Sequence, residues 1–418
     1  MNLFGTDYQS FTKATLVPVI LSLLVFYSCF VGNSSLTILA TLLVCAHIAT
    51  SKIKDVLPYM LYYTSFAYMF LAGDFMLYEF LGITFMVKCF ISGAVNKKTI
   101  ILWVPIYFIT HLMSSSLTLG NIIPVINVFI LLFACLSYSE DNYEQCVFLF
   151  ILGVLITSLL GFLKPLSPHL SEMFEENFVG SSSIDFLIRY SGLSYDPNFF
   201  TLISIVAIIV LLLNKKKNSW ITMIVAAVII YCGFLTYSKS FILSLAAIVI
   251  LLVLDKNNKN TFKIGALALL GFVFFASTIE GIYKVLVVRF SSASNFSELS
   301  TGRDELWIYY INHIGENIST LFMGHGFTKL ANFKAAHNTF LEVLFNFGLI
   351  GFFVDICFIT KCFRSVARSC KGLVSICIAL LLALLLFNLS AYTYPSLWAC
   401  MFMTFILISH RYSYSHNC

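Results

Sequence analysis

The sequence predicts an all-α polytopic membrane protein of about 12–14 transmembrane helices, with two large loops on the extracytoplasmic side. The 418 residues are 59% hydrophobic and only 11% charged, whereas soluble globular proteins are about 45–50% apolar and about 25% charged. Apolar runs of about 20 residues, the length that crosses a bilayer, recur along the chain. The polar residues that could carry chemistry collect instead in two long segments between these runs.

Fourteen apolar runs define the predicted helices, and merging of short neighbours would give twelve. They lie near residues 14–31, 34–50, 56–72, 76–94, 100–115, 121–138, 146–163, 198–213, 219–235, 241–254, 262–279, 338–359, 373–391 and 396–409. We expect residues 1–418 to form a single integral membrane domain. No small-residue cleavage site follows the first run, which we therefore interpret as a retained helix and not as a signal peptide.

The distribution of Lys and Arg predicts the orientation of the helices. Cytosolic loops of membrane proteins carry an excess of both residues. With the N-terminus in the cytosol, sixteen of the 25 Lys and Arg residues fall on the cytosolic side. Most of the others lie in the two long outer loops, where the rule is weak. We therefore expect both termini in the cytosol.

Two outer connections, residues 164–197 and 280–337, are much longer than all the others. Long loops in compact proteins often carry function. The segment 198–409, which includes the second of these loops, holds most of the motifs described below. We therefore predict that it is the half of the chain that bears the catalytic motifs.

Several kinds of chemistry have no signature in the sequence. No GxxxxGK[ST] phosphate loop, HExxH motif or DxD metal-nucleotide motif occurs, which argues against ATP hydrolysis and cytosolic nucleotide-sugar transfer. His325 and His337 share a loop but lack further ligands at metal spacing. The Lys and Arg residues form no basic face for a nucleic acid. We predict no metal, no cofactor and no nucleic-acid partner.

The twelve cysteines give no sign of disulfide bonds. None lies in the two long outer loops, and none forms a CxxC pair. A disulfide framework needs paired cysteines in the oxidising compartment. We interpret the cysteines as small buried hydrophobic residues.

The first outer loop ends in the segment IRYSGLSYDPNFF, residues 188–200. Arg189 is either a solvated or headgroup-binding arginine or a ligand for an anionic substrate. Asp196 fits the cap of a helix that begins at the proline after it, and Asp196 and Asn198 are also candidate substrate-binding residues. Lys239, in the segment LTYSKS, either snorkels to the interface or faces a polar cavity.

The second outer loop contains the segment STGRDELWIYY, residues 300–310. Arg303 is a candidate catalytic cation in this segment. Trp307, Tyr310 and Ile311 recur at helical spacing, which predicts an amphipathic helix lying on the membrane face. Trp307 is also a candidate for substrate binding.

The motifs GHG and AHNTFLEVLFNFGLIG complete the second loop and lead into a predicted transmembrane helix. His325 lies between two glycines in a predicted turn and is a candidate substrate ligand. His337 is either the polar start of the helix or a general base. Asn338 and Glu342, both candidate substrate-binding residues, share one face of the helix. Two later glycines would let this helix pack closely on a neighbour.

Together, the two loops and LTYSKS supply two arginines, one lysine and a histidine on the outer side. Such a set suits a phosphate-bearing substrate, because arginine binds phosphate through paired hydrogen bonds and histidine is the commonest general base near neutral pH. There is no ATP outside the cell, so a reaction there needs a donor that is already activated. A polyprenyl pyrophosphate is such a donor, and cations would stabilise its leaving group as the bond breaks.

The motifs R…SGL…DPN, LTxS[RK], STGR…W, GHG and HN…LE…FGxIG occur in this order in a many-helix chain. In this arrangement they resemble the bacterial O-antigen polymerase and O-antigen ligase superfamily. The resemblance covers residues 186–352, and the first seven helices are similar only in hydropathy. The family usually carries arginine where this chain has Lys239, which keeps the charge but loses the bidentate fork.

The resemblance implies a metal-independent glycosyltransferase of GT-C-like architecture in the bacterial cytoplasmic (inner) membrane. Its donors would be undecaprenyl-pyrophosphate-linked oligosaccharides on the outer face. The resemblance further implies that Arg189, Lys239 and Arg303 engage the pyrophosphate, and that His337 assists the acceptor hydroxyl. Besides the lipid bilayer, a chain-length regulator and a flippase are the partners that such a role suggests.

We favour a polysaccharide polymerase for O-antigen or capsule-type glycans over two alternatives. Polymerases are the more diverse class, and this chain is rich in Phe and Lys, as many of them are. An O-antigen ligase, which transfers the finished glycan to an acceptor lipid, is the closest alternative. A flippase is less favoured, because transporters commonly show internal repeats and polar residues near the midplane. Glu79 and Lys88 best fit a buried polar path, but they lie on opposite helix faces.

Overall fold

The computed structural model of the protein describes residues 8–72, 75–112, 119–173, 178–179, 187–213, 220–254, 303–326, 336–366, 373–389 and 394–415. Helices account for most of these residues. A helix satisfies its own backbone hydrogen bonds, which is what an apolar chain in lipid requires. The predicted helix at 262–279 lies outside the described residues.

The α-helices are α1 (Tyr8–Phe30), α2 (Ser34–Thr50), α3 (Ile53–Thr64), α4 (Tyr78–Ile91), α5 (Lys97–Leu112), α6 (Leu119–Ser137), α7 (Tyr143–Leu160), α8 (Pro168–Met173), α9 (Pro197–Leu213), α10 (Trp220–Phe234), α11 (Lys239–Leu254), α12 (Arg303–Ile314), α13 (Ile318–Met323), α14 (Thr339–Val366), α15 (Leu373–Phe387) and α16 (Ser396–Ser415). Short 3-10 helices span Ala67–Met69, Glu140–Asn142 and Gly161–Leu166. Strands β1 (Leu71–Ala72) and β2 (Phe75–Met76) pair antiparallel, as do β3 (Phe178–Val179) and β4 (Leu187–Ile188).

The lengths and compositions of these helices are consistent with an all-α membrane protein. Two helical runs, Glu140–Leu166 and Thr339–Val366, are long and apolar enough to cross a bilayer, and eight shorter apolar helices accompany them among the described residues. The number of spanning helices, their orientation and the GT-C-like architecture stay predictions.

The predicted helix at 56–72 is the clearest error in the sequence-based assignment. In the structure α3 ends at Thr64, a 3-10 helix follows at Ala67–Met69, and β1 begins at Leu71. Phe66 to Phe70 are nevertheless buried. Because a short apolar run is compatible with both helix and buried irregular backbone, hydropathy could not locate this helix end.

The predicted outer loops contain short elements of their own. The first loop, 164–197, includes α8 and the β3–β4 pair, and the described part of the second loop, 280–337, includes α12 and α13. The described cysteines are all free thiols and most are buried, as predicted.

The chain divides into two compact units. Unit 1 consists of Met1–Lys88, Ser139–Tyr283 and Gly372–Ile378, and unit 2 consists of Cys89–Tyr138, Lys284–Lys371 and Ala379–Cys418. The expectation of a single integral membrane domain stays a prediction.

Unit 1 is built around α9, which is buried along almost its whole length among α7, α10 and α11. A helix that is apolar on all sides needs such a central position. A second close contact joins α3 and α7 at Gly153, where a Cβ atom would lie 2.8 Å from the Tyr62 carbonyl oxygen. Glycine therefore sets how closely these two helices approach.

In unit 2, α14 is broken at Gly348, which has a left-handed φ of 63°. The backbone N–H groups of His325 and Gly326 donate to the carbonyls of Phe345 and Asn346, at 2.9 and 2.8 Å. The break separates these carbonyls from the N–H groups four residues later, so the GHG turn replaces the lost helical bonds. The GHG motif and Gly348 thus depend on each other, because the turn satisfies the carbonyls that the break at Gly348 leaves free.

The prediction that both later glycines of α14 allow packing on a neighbouring helix is wrong in part. A Cβ atom at Gly348 would lie 2.4 Å from the Phe322 carbonyl, so this glycine does permit close packing on the neighbouring helix α13, as predicted. The Cβ position of Gly351 instead meets Phe347 of the same helix. Local sequence does not reveal that the helix is broken between them.

The amphipathic helix predicted after Arg303 is present as α12, but its buried face differs from the prediction. Tyr310 and Ile314 are buried and Trp307 is half-buried, whereas Ile311 is 55% exposed. The buried face is therefore narrower than the helical spacing suggested. It packs on Phe345 of α14 and on Ala336, which precedes that helix.

Candidate functional site

In unit 1, two segments that the sequence singled out meet at the start of α9. The Nε atom of Arg189 donates to the Thr236 carbonyl at 2.8 Å, and its Nη2 atom donates to Oδ1 of Asn198 at 3.3 Å. Ser238 donates its hydroxyl to the same Asn198 oxygen at 3.2 Å. The structure thus brings the R…SGL…DPN and LTYSKS motifs together around one amide side chain.

Two helices begin at this cluster. Asp196 caps α9, because its Oδ1 atom accepts from the backbone N–H of Asn198 at 2.6 Å, and the helix begins at Pro197 as predicted. Lys239 is the first residue of α11. The N-terminal end of a helix carries a partial positive charge. Arg189, Lys239 and two helix starts therefore lie in the same part of unit 1 as the Asp196 carboxylate.

The turn before α11 has an unusual backbone. Tyr237 is a non-glycine residue with a left-handed φ of 49°, and its side chain is buried. The next residue, Ser238, is also buried, and its backbone N–H donates to the Thr236 hydroxyl at 3.2 Å. The turn therefore fixes the backbone position of Lys239 at the start of α11.

In unit 2, Arg303 lies at the junction of three helices. Its Nη1 atom donates to the Asn388 carbonyl at 3.0 Å, just beyond the end of α15. Thr339, the first residue of α14, donates its hydroxyl to the carbonyl of Leu389. Because residues 388 and 389 are consecutive, these contacts place Arg303 near the start of α14 and so near His337.

The backbone around His337 is fixed on both sides. His337 has a left-handed φ of 50° and is half-buried. Before it, the Ala336 carbonyl accepts a hydrogen bond from Nε1 of Trp307 at 2.9 Å. After it, Oδ1 of Asn338 accepts from the N–H groups of Phe340 and Leu341, at 3.1 and 3.2 Å. Asn338 is therefore the helix cap, and His337 does not serve as one.

Tyr310 closes the buried side of this cluster. Its hydroxyl is hydrogen-bonded to the backbone of Ala336. Burial, and to a lesser extent the nearby Glu342 carboxylate, raises the pKa of Tyr310 to about 12. Tyr310 is therefore protonated throughout the physiological pH range and remains a neutral partner of Glu342.

His325 has structural contacts in unit 2. Its Nε2 atom lies 3.0 Å from the His313 carbonyl oxygen, and its ring stacks on Phe345 with the centroids 4.4 Å apart. These contacts tie the GHG turn to α12 and α14. The candidate role of His325 in substrate binding stays a prediction.

A buried polar pair in unit 2 escaped the sequence analysis. His111 and Asp355 lie 3.1 Å apart from Nε2 to Oδ1, and both are buried. The ring of His111 also stacks on Tyr107 and packs against Phe347. The pair joins α5 to α14, and no local signal could have found two residues that are 244 positions apart.

Glu79 and Lys88 do not pair, as predicted. Lys88 donates to the Ala49 carbonyl at 2.7 Å. Glu79 is buried, and neither of its carboxylate oxygens has a hydrogen-bond partner among the described residues.

The described parts of the chain contain no group of three His, Cys, Asp or Glu residues that could hold a metal ion. The structure places Arg189, Asp196, Asn198 and Lys239 in a unit 1 cluster, and Arg303, Trp307, His337, Asn338 and Glu342 in a unit 2 cluster. His325 contacts α14 further along the helix, at Phe345. Each cluster lies where helices begin.

The fold and these clusters define a class: an all-α protein with the apolar helices of a membrane protein and cation-bearing polar clusters at helix starts. Residues 224–356 match the model of a family described as O-Antigen ligase. The match confirms, over these residues, the resemblance to the O-antigen ligase and polymerase superfamily. It takes in about a third of the chain and includes Lys239, Arg303 and His337 but not Arg189. No curated protein and no solved structure matches the chain.

Proposed function

We propose that this protein is a polysaccharide polymerase that joins undecaprenyl-pyrophosphate-linked oligosaccharide repeat units, of O-antigen or capsule type, on the outer face of the bacterial cytoplasmic membrane. The observation that carries the proposal is the match at residues 224–356. The matched family covers O-antigen ligases and related polymerases, which are glycosyltransferase-like membrane enzymes acting on lipid-linked oligosaccharides.

The proposed reaction is a displacement at the anomeric carbon of the donor glycan. A hydroxyl of the acceptor repeat unit attacks this carbon, and a glycosidic oxygen–carbon bond forms. The bond from the same carbon to the pyrophosphate oxygen breaks, with inversion. The hydroxyl proton passes to a base, and undecaprenyl pyrophosphate leaves with the electron pair of the broken bond.

In unit 1, Arg189 and Lys239 are the proposed ligands of the donor pyrophosphate. The guanidinium of Arg189 is held by Thr236 and Asn198, so its orientation is set before a ligand arrives. Preorganised cations stabilise developing negative charge more effectively than cations that must reorient. The two helix starts add positive potential at the same place. Asp196 and Asn198 have a supporting role, because their oxygens shape the loop and hold the arginine.

In unit 2, Arg303 is the proposed partner for negative charge and His337 the proposed general base. Neutral imidazole can accept the proton of a sugar hydroxyl near pH 7. A left-handed non-glycine backbone is uncommon, and strained residues of this kind cluster at active sites and ligand-binding sites. The half-buried ring of His337 projects from such a residue, between neighbours that are hydrogen-bonded on both sides.

A ligase remains the second candidate function, and the description of the matched family as O-Antigen ligase favours it. The two enzymes share the donor and the bond that breaks, and they differ in the acceptor. A polymerase uses another lipid-linked repeat unit, whereas a ligase uses an acceptor lipid. A chain-length regulator and a flippase are proposed partners of either activity.

The test is to delete the gene in its host and to analyse the glycans that remain on the lipid carrier. We expect single repeat units on undecaprenyl pyrophosphate, because their polymerisation would stop. Full-length glycans left on the carrier would show that the protein is a ligase. A lipid-linked unit that faces the cytosol would show that it is a flippase and would overturn the proposal.

A further inference from the structure

His337 has a conformation that its own sequence does not impose. Apart from Tyr237, it is the only non-glycine residue with positive φ in the described part of the chain. Side chains with a Cβ atom disfavour this region of backbone space, because the Cβ crowds the following carbonyl. Neighbouring contacts must therefore hold His337 in place.

The contacts after His337 are local, whereas those before it come from another helix. Asn338 caps α14 through its own side chain, and Thr339 binds the carbonyl of Leu389. Ala336 is held by α12, because Nε1 of Trp307 donates to its carbonyl oxygen at 2.9 Å and the hydroxyl of Tyr310 is bonded to its backbone. These bonds from α12 fix the chain just ahead of His337.

The only hydrogen-bonding group of the Trp307 side chain holds the Ala336 backbone. The indole has one polar atom, the Nε1 donor, and that atom binds Ala336. Its ring packs edge-on against Phe387, with the centroids 5.1 Å apart and an interplanar angle of 68°. Trp307 is a candidate for substrate binding from its sequence, and in the structure its only donor is directed at the backbone that precedes His337.

We propose that Trp307 is a positioning residue that acts through His337. Together with Tyr310, it holds the Ala336 backbone so that the imidazole stands in the orientation needed to accept the acceptor's proton. This inference rests on the proposed function, in which His337 is the base. It adds that helix α12 controls the geometry of that base, so the segment STGR…W serves positioning as well as charge.

The test uses Trp307→Phe, which keeps an aromatic ring against Phe387 and removes the indole N–H. Turnover would be measured with the purified full-length protein in lipid nanodiscs, on lipid-linked repeat units. We expect kcat to fall about ten- to hundredfold, the scale for a misplaced catalytic group, while KM for the donor stays unchanged. Trp103→Phe is the matched control, because Trp103 packs edge-on against Phe358 in the same unit. It should leave kcat unchanged.

A double-mutant cycle with His337→Ala separates positioning from other roles. If Trp307 acts through the imidazole, Trp307→Phe has no further effect on kcat once His337 is alanine. The same fold loss in both backgrounds, or a rise in KM for the donor with unchanged kcat, would overturn the inference. Full activity of His337→Ala itself would instead refute the base assigned in the proposed function, so the two failures are distinguishable.

Tyr310→Phe provides a second route to the same cycle if Trp307→Phe does not fold. It keeps the ring contact with Phe345, whose centroid lies 5.0 Å away, and removes only the hydroxyl that binds Ala336. We expect a smaller loss of kcat that also disappears in the His337→Ala background. A loss that persists there would overturn the inference.

Discussion

The turns that precede α11 in unit 1 and α14 in unit 2 have the same backbone conformation, but different kinds of side chain occupy it. Each places a non-glycine residue with φ near 50°, Tyr237 or His337, directly before the residue that opens the helix. In unit 1 this residue is buried, and the charged Lys239 follows two positions later. In unit 2 the left-handed residue is itself the half-buried histidine.

The charged groups near the two turns also differ. The unit 1 turn lies where α9 and α11 begin, so helix starts reinforce Arg189 and Lys239. The unit 2 turn lies beside the end of α15, where Arg303 binds a carbonyl, and Glu342 is close to Tyr310. Two cations and two helix starts meet at the first turn, whereas one arginine and one glutamate lie near the second.

The largest expected effect is at His337. His337→Ala should lower kcat by about 10²–10⁴-fold, the usual contribution of a general base, with donor binding and expression unchanged. Steady-state kinetics on purified lipid-linked substrate measures this. His325→Ala is the control and should be milder, since the contacts of His325 to His313 and Phe345 are structural.

The left-handed backbone makes His337→Asn the sharpest companion variant. Asparagine tolerates this conformation better than most residues but has no group that accepts a proton near neutral pH. It should therefore be as inactive as the alanine variant. Recovery of activity in His337→Asn would mean that position 337 supplies only a turn, and the base would have to be sought elsewhere.

The second effect in size concerns the arginines. Arg189→Ala and Arg303→Ala should each lower activity by about a hundredfold, the scale for loss of one group that stabilises transition-state charge. Arg→Lys should restore only part of the activity, because lysine lacks the planar fork. Near-normal glycan chain length in both alanine variants at normal expression would place the pyrophosphate site elsewhere.

Lys239 tests the unit 1 turn at a smaller expected effect. The family usually has arginine at this position, so Lys239→Arg should leave activity close to normal, whereas Lys239→Ala should reduce it. Both variants keep α11 intact, because either residue is acceptable in the first turn of a helix. If Lys239→Arg were as defective as Lys239→Ala, the position would require an ammonium group specifically, and a simple charge role would be wrong.

Local signals in the sequence predicted the parts of both clusters that depend on neighbours along the chain. Asp196 before Pro197 was recognisable as a helix cap because capping involves residues two or three positions apart. The left-handed backbones at Tyr237 and His337 were not predictable, since no glycine marks them. Tertiary contacts impose these conformations.

Contacts between distant segments could not be predicted from the sequence. The bond from Trp307 to Ala336 and the His111–Asp355 pair depend on how helices pack, and apolar helices in lipid carry little pattern that specifies their neighbours. For the same reason, the hydropathy of this segment did not predict the break of α14 at Gly348. Hydropathy identified where helices lie, but it could not show which side chains they bring together.

The smallest expected effect is that of metal removal, which we expect to leave the activity unchanged. In the proposed mechanism, Arg189, Lys239, Arg303 and helix starts meet the charge of the pyrophosphate, and the sequence has no DxD motif. Activity on purified lipid-linked substrate should therefore survive EDTA, with kcat and KM unchanged. If EDTA abolished activity and Mg²⁺ or Mn²⁺ restored it, a metal ion would be carrying charge that we assign to these side chains. The proposed role of these cations would then be wrong, while the role of His337 would still stand on its own test.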